Sequence, residues 1–109
     1  MTEKEQLTEE FTLVNPQSVF SLEGKIALIT GGGSGIGYDI AQCMTHAGAT
    51  VIITGRREHA LQEATAALGK SAHYVVNDVT ELNALEGLVE TIVNTYGEID
   101  ILVNNAGIN

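Results

Sequence analysis

Residues 25–37 read Lys25-Ile26-Ala27-Leu28-Ile29-Thr30-Gly31-Gly32-Gly33-Ser34-Gly35-Ile36-Gly37, an apolar run that gives way to five glycines within seven residues. Within Lys25 to Thr30 the residues Ile26, Ala27, Leu28 and Ile29 make a short continuous apolar run, as a strand buried on both faces requires. After the glycines, Ile36, Ile40, Met44 and Ala47 recur at three- and four-residue steps, the period of a helix with one apolar face, and Gly48 closes it. A glycine loop between a buried strand and a helix puts free backbone N–H groups at the positive end of a helix dipole, where phosphate binds. Glycine is needed there because a β-carbon would strike the phosphates or the neighbouring strand, and because some positions take positive φ.

Working outward, the alternation repeats. Val51, Ile52 and Ile53 form a second strand, followed by an alanine-rich helix from about Glu58 to Leu68 that ends at Gly69. Tyr74, Val75 and Val76 make a third strand. Leu82, Leu85, Val89, Ile92 and Tyr96 form the stripe of a third helix ending near Gly97, and Ile99 to Val103 is the fourth strand. Strands joined by helices of this length need crossover connections, so the expected fold is α/β, a doubly wound parallel sheet of the Rossmann type with four strands in the order 3-2-1-4. Residues 1–22 stand apart. Glu3, Glu5, Glu9 and Glu10 face only Lys4, and the one proline, Pro16, precedes any periodicity, which predicts a flexible acidic extension. Residues 23–109 then form the amino-terminal part of a nucleotide-binding Rossmann domain, expected to be truncated.

Composition narrows the partners. Fourteen acidic residues against five basic ones give a net charge of -9, which disfavours nucleic acid and anionic membrane surfaces. The longest apolar run, Ile26-Ala27-Leu28-Ile29, is far short of the roughly 20 residues that cross a bilayer, and the acidic start lacks the cationic region of a signal peptide, so the expected location is the cytoplasm. Cys43 has no partner for an internal disulfide and reads as a small buried hydrophobe inside a helical apolar pattern. His46, His59 and His73 show no metal-ligand spacing with Cys43 or with a carboxylate, so no metal is expected.

Two common phosphate loops fail on these residues. A nucleoside-triphosphate loop requires Lys and then Ser or Thr after the last glycine, where Tyr38 and Asp39 stand. The Gly-x-Gly-x-x-Gly fingerprint would demand glycine at Ile36 or at Tyr38. The spacing is instead Gly-x-x-x-Gly-x-Gly. Together with Thr30, with Asp78-Val79-Thr80 after strand three and with Asn104-Asn105-Ala106-Gly107 after strand four, it resembles the short-chain dehydrogenase/reductase family over residues 23–109.

The resemblance implies a nicotinamide dinucleotide and hydride transfer to or from a small-molecule alcohol or carbonyl substrate, in a parent protein that is a homo-oligomer. Gly31, Gly33, Ser34 and Ile36, in the loop that Gly35 and Gly37 complete, would border the pyrophosphate and adenosine ribose. Asp78 and Val79 would meet the adenine, and Asn105, Ala106 and Gly107 would line the adenosine ribose and the approach to the nicotinamide. Asp78-Val79-Thr80-Glu81 also reads as a capping box for the third helix.

Charge decides the form of the cofactor. Enzymes of this architecture that use NAD place a carboxylate after the second strand for the ribose 2′-hydroxyl, and that carboxylate repels a 2′-phosphate. Here Thr54-Gly55-Arg56-Arg57 occupies the place, and these are the only arginines in the chain. Cations at a helix start cost about 0.3–1 kcal/mol each when exposed. A bound phosphate offsets that cost and suits a guanidinium fork, so the expected cofactor is NADP rather than NAD.

Catalysis in the resembled family uses an Asn, a Ser and a Tyr-x-x-x-Lys pair, all downstream of the Asn-Asn-Ala-Gly motif. The residues four after Tyr38, Tyr74 and Tyr96 are Gln42, Asp78 and Asp100, so the pair does not occur in these 109 residues. The expectation is therefore a cofactor-binding half, inactive by itself, with no catalytic residue of its own and with strand four as an open apolar edge prone to association. The alternative is a noncatalytic NADP-binding or interaction module.

Overall fold

The computed structural model describes residues 21–78 and 84–105. Seven elements alternate along it: β1 (Ile26–Thr30), α1 (Gly35–His46), β2 (Thr50–Gly55), α2 (Glu58–Leu68), β3 (Ala72–Val76), α3 (Ala84–Tyr96) and β4 (Ile101–Asn104). The strands form one sheet in the order β3-β2-β1-β4, with every pairing parallel. Chain direction reverses its progress across the sheet between β1 and β4, the topological switch point of an open α/β sheet.

Two cores flank the sheet. Ala27, Ile29, Val51 and Ile53 point to one face and pack with Ala41 of α1 and with Leu61 and Ala64 of α2. Leu28 and Ile52 point to the other and meet Leu88 and Ile92 of α3. Because β1 and β2 are covered on both sides, every second residue has no polar face to supply, which is why these strands are unbroken apolar runs. Asp100 starts β4 differently from the sequence expectation of Ile99. Its backbone N–H donates to Ile26 O at 2.8 Å and its Oδ2 accepts from Ile26 N–H at 2.9 Å, so a side chain takes the first rung of the ladder and the strand begins at Ile101.

Helix phase differs from the sequence reading in two places. In α1 the buried residues are Gly37 and Ala41, with Tyr38, Ile40 and Met44 partly buried beside them. The packed face is thus one residue on from the Ile36 stripe, and Ile36 is 67% exposed in the first turn. Small residues bring the helix close to the sheet and so choose the face. Cys43, about 200° around the helix from Ala41, is exposed, and the expectation of a buried cysteine is corrected accordingly. In α3 the buried pair is Leu88 and Ile92, with Val89 and Tyr96 partly buried, while Leu85 is exposed and Leu82 lies outside the described residues.

Leu22 packs against the first core and its N–H donates to Ala47 O at 2.7 Å, so the ordered body includes it; residues 1–20 of the acidic extension lie outside the described residues. Of the histidines, His59 faces Glu63 at 3.1 Å, one turn along α2, and the His73 ring lies 4.9 Å from that of Tyr96. Among the described residues no three of His, Cys, Asp and Glu gather to hold a metal ion, and no helix is long and apolar enough to cross a membrane.

Candidate functional site

The glycine loop leaves β1 at Thr30, which is fully buried. Gly31 turns the chain with φ +72°, a left-handed conformation that side chains disfavour. The N–H groups of Gly31 and Gly32 then both donate to Thr54 O, at 2.9 and 3.2 Å, mooring the loop to the end of β2. Gly32 has no room for more: a β-carbon there would lie 2.5 Å from Ile53 Cγ2.

The second half of the loop faces outward. Ser34 is the N-cap of α1 in extended conformation, and its hydroxyl makes no capping bond. Gly35 follows with φ +62°, and a β-carbon on it would meet nothing within 4 Å. Ser34, Gly35 and Ile36 are exposed. The N–H groups of residues 34–37 have no acceptor within the helix, since the first four of any helix lack one. That arrangement presents donors and a positive dipole end to an anion.

Asn105 ties the second motif to the first. Its Nδ2 donates to Gly31 O at 3.1 Å, and its backbone N–H donates to Thr30 Oγ1 at 3.0 Å. Thr30 Oγ1 in turn donates to Asn104 Oδ1 at 3.1 Å. Gly37 sits under this knot: a β-carbon on it would collide with Gly31 O and lie 2.6 Å from Asn105 Nδ2. The Asn105 side chain is therefore committed to the loop backbone. Ala106 and Gly107 lie outside the described residues.

Arg56 and Arg57 project from the turn between β2 and α2, both exposed. Arg57 is the N-cap of α2 through its backbone, its carbonyl accepting from Leu61 N–H at 3.2 Å, with no side-chain cap. Ion pairing between described residues is seen at His59 with Glu63, and neither guanidinium has a carboxylate partner among the described residues. Gly33 lies between loop and turn, where a β-carbon would touch Leu61 Cδ2 at 3.4 Å. Asp78 follows β3 at the same edge of the sheet, anchored by Asn77 N–H donating to Gly55 O at 2.8 Å. Val79 lies outside the described residues.

The structure thus brings Gly31, Gly33, Ser34, Gly35, Ile36, Gly37, Arg56, Arg57, Asp78 and Asn105 to the carboxyl edge of the parallel strands. Sequence reasoning missed three residues that shape the site: Gly32, excluded from carrying a side chain by Ile53; Thr54, whose carbonyl holds the loop; and Thr30 as a hydrogen-bond hub. The pairing of Thr30 with Thr54 and with Asn104 across the sheet was implicit in the strand order, but only the register reveals it.

A parallel α/β sheet with a glycine loop and helix start at its switch point defines a doubly wound nucleotide-binding fold of the Rossmann type. Exposed backbone donors and the uncapped Ser34 hydroxyl lie at this edge with two exposed guanidiniums that have no carboxylate partner among the described residues. Residues 25–109 match the family model for the short chain dehydrogenase, and the chain belongs to that family. A 3-oxoacyl-acyl-carrier-protein reductase FabG of Haemophilus influenzae is 46% identical over 87 residues, covering 80% of this chain and 36% of the relative. The oxidoreductase asL5 of Sarocladium schorii is 46% identical over 86 residues, 79% of this chain and 34% of that protein. Among solved structures, 2-keto-3-deoxy-D-gluconate dehydrogenase from Streptococcus agalactiae superposes with a TM-score of 0.75 at 43% identity, covering 93% of this chain and 38% of that one. The chain spans about a third of the length of these relatives.

Proposed function

We propose that the chain is the cofactor-binding half of an NADP-dependent oxidoreductase that moves hydride between NADP(H) and an alcohol or carbonyl carbon. The observation that carries the reading is the pair Arg56 and Arg57, exposed and without a carboxylate partner among the described residues, at the start of α2 immediately after Gly55 ends β2. An acidic residue at that place would accept from a ribose 2′-hydroxyl and repel a 2′-phosphate. Two guanidiniums do the reverse, and a 2′-phosphate relieves their unfavourable position at the positive end of a helix.

On this reading the N–H groups of residues 34–37 and the Ser34 hydroxyl bind the pyrophosphate. Gly31, Gly33 and Gly35 let the backbone approach it, Gly37 lets α1 close against Gly31 and Asn105 beneath it, and Ile36 covers its open side. Asp78 and Val79 take the adenine, Ala106 and Gly107 the adenosine ribose and the path to the nicotinamide, and Asn105 holds Gly31 in place. The nicotinamide, when bound, supplies or takes the hydride. No Tyr-x-x-x-Lys pair occurs in the 109 residues, so the reading assigns them cofactor binding and no proton-transfer group. Relatives whose names describe a 3-oxoacyl reductase and a keto sugar acid dehydrogenase support a carbonyl substrate class.

Calorimetric titration with NADP and with NAD tests the proposal. Replacing Gly55→Asp together with Arg56→Gln exchanges a charge-assisted contact for a repulsion. With charged hydrogen bonds contributing about 1.5–3 kcal/mol, the preference should move toward NAD by roughly ten- to a hundredfold. An unchanged preference overturns the assignment of the 2′-phosphate to these arginines.

A further inference from the structure

The carboxylate nearest in sequence to the two arginines does not pair with them. Glu58 directly follows Arg57 and opens α2, yet its Oε2 accepts a hydrogen bond from the Tyr74 hydroxyl at 3.2 Å. Gln62, one turn further along the same helix face, donates its Nε2 to that hydroxyl at 3.2 Å. Tyr74 is partly buried, its ring packed against the first core, so it offers its hydroxyl from a fixed base on β3. Glu58 is exposed, and an unrestrained glutamate beside two cations is free to reach them for the weak attraction of an exposed ion pair.

From this geometry, and resting on the NADP reading above, we propose that Tyr74 is a positioning residue for cofactor choice: it holds the Glu58 carboxylate over β3 and so keeps Arg56 and Arg57 open to a 2′-phosphate. Released, the carboxylate acts three ways in the same direction. It competes for the guanidiniums, repels the phosphate dianion, and offers an acceptor to the 2′-hydroxyl of NAD, the role an acid plays at the end of the second strand. Gln62 completes the device by orienting the tyrosine hydroxyl, whose single proton then points to Glu58.

The test is the ratio of NAD to NADP dissociation constants, read by calorimetry on the chain and on four variants. Tyr74→Phe removes one oxygen and should lower the ratio about two- to fivefold, the size of an exposed charge interaction. Glu58→Asp keeps the charge on a stem too short to reach Tyr74 and should lower it similarly without touching the core. Glu58→Gln should leave the ratio at or slightly above that of the parent chain, and Tyr74→Phe combined with Glu58→Gln should return to the Glu58→Gln value. The Tyr74→Phe effect should shrink between low salt and 1 M salt as the charges are screened. A Tyr74→Phe ratio equal to that of the parent chain overturns the inference. So does a loss shared equally by both cofactors and not restored by Glu58→Gln, since that is what a purely structural tyrosine produces. A parent chain that binds both cofactors without preferring NADP overturns instead the reading on which the inference rests.

Discussion

Two glycines inside helices should respond to the same substitution with opposite signs. Gly37 lies in the first turn of α1 and Gly87 in the first turn of α3. Alanine is preferred over glycine in a helix interior by about 1 kcal/mol. At Gly87 a new β-carbon meets nothing within 4 Å, so Gly87→Ala should stabilise the chain by roughly that amount. At Gly37 the β-carbon collides with Gly31 O and lies 2.6 Å from Asn105 Nδ2, and the collision partner is backbone on a loop moored by two hydrogen bonds to Thr54 O. Neither side can yield without loss. Overpacking costs about 1–3 kcal/mol, and breaking the bond from Asn105 to Gly31 costs about 0.5–1.5 kcal/mol. The propensity gain of about 1 kcal/mol recovers only part of this, so Gly37→Ala should destabilise by about 2 kcal/mol. Urea unfolding followed by far-ultraviolet circular dichroism measures both variants against the parent chain, with the slope m as a check that the same surface is exposed. On the proposed cofactor reading, Gly37→Ala should also weaken NADP binding, because relief of the clash shifts the start of α1 against the loop. A Gly37→Ala variant as stable as Gly87→Ala would refute the packing argument.

Two further outcomes follow from the sheet. Thr30→Val keeps shape but deletes the oxygen that serves Asn105 N–H and Asn104 Oδ1, and should cost about 1–3 kcal/mol in urea unfolding, whereas Thr30→Ser should retain most of the stability. Leu102 is 52% exposed on β4, the end strand of the described sheet, so Leu102→Lys should reduce concentration-dependent light scattering; equal scattering from both chains would count against an associating edge.

Much of this fold was legible because each element carries its own signal. The runs at Ile26–Ile29 and Val51–Ile53 are long enough and apolar enough to require burial on both faces, and helices between them require parallel pairing. The strand order follows from the same logic. Helix phase was less legible, because periodicity records that an apolar face exists but small residues choose which side sits deepest: Gly37 and Ala41 in α1 displaced Ile36, and Leu88 rather than Leu85 anchors α3. In the site, the glycine spacing separated the loop from two competing phosphate motifs. It did not separate glycines that admit no neighbour, such as Gly32 and Gly37, from Gly35, which faces open space, since that depends on where Ile53 and Asn105 stand. The contact between Glu58 and Tyr74 joins residues on different elements, and no local pattern encodes it.

The knot of Thr30, Asn104 and Asn105 has a bearing on the order in which the chain assembles. Its bonds span 74 and 75 residues of sequence, from the end of the first strand to the end of the fourth. Contacts of such separation form only after the intervening chain has been gathered in, because loop closure must precede them. During synthesis the glycine loop would emerge early and be moored to Thr54 once β2 pairs with β1, yet its fastening to Asn105 would wait until β4 docks on the other side. On the proposed cofactor reading, the last constraint on the phosphate loop would then arrive with β4, making nucleotide affinity a report on completed closure of the sheet as well as on the loop.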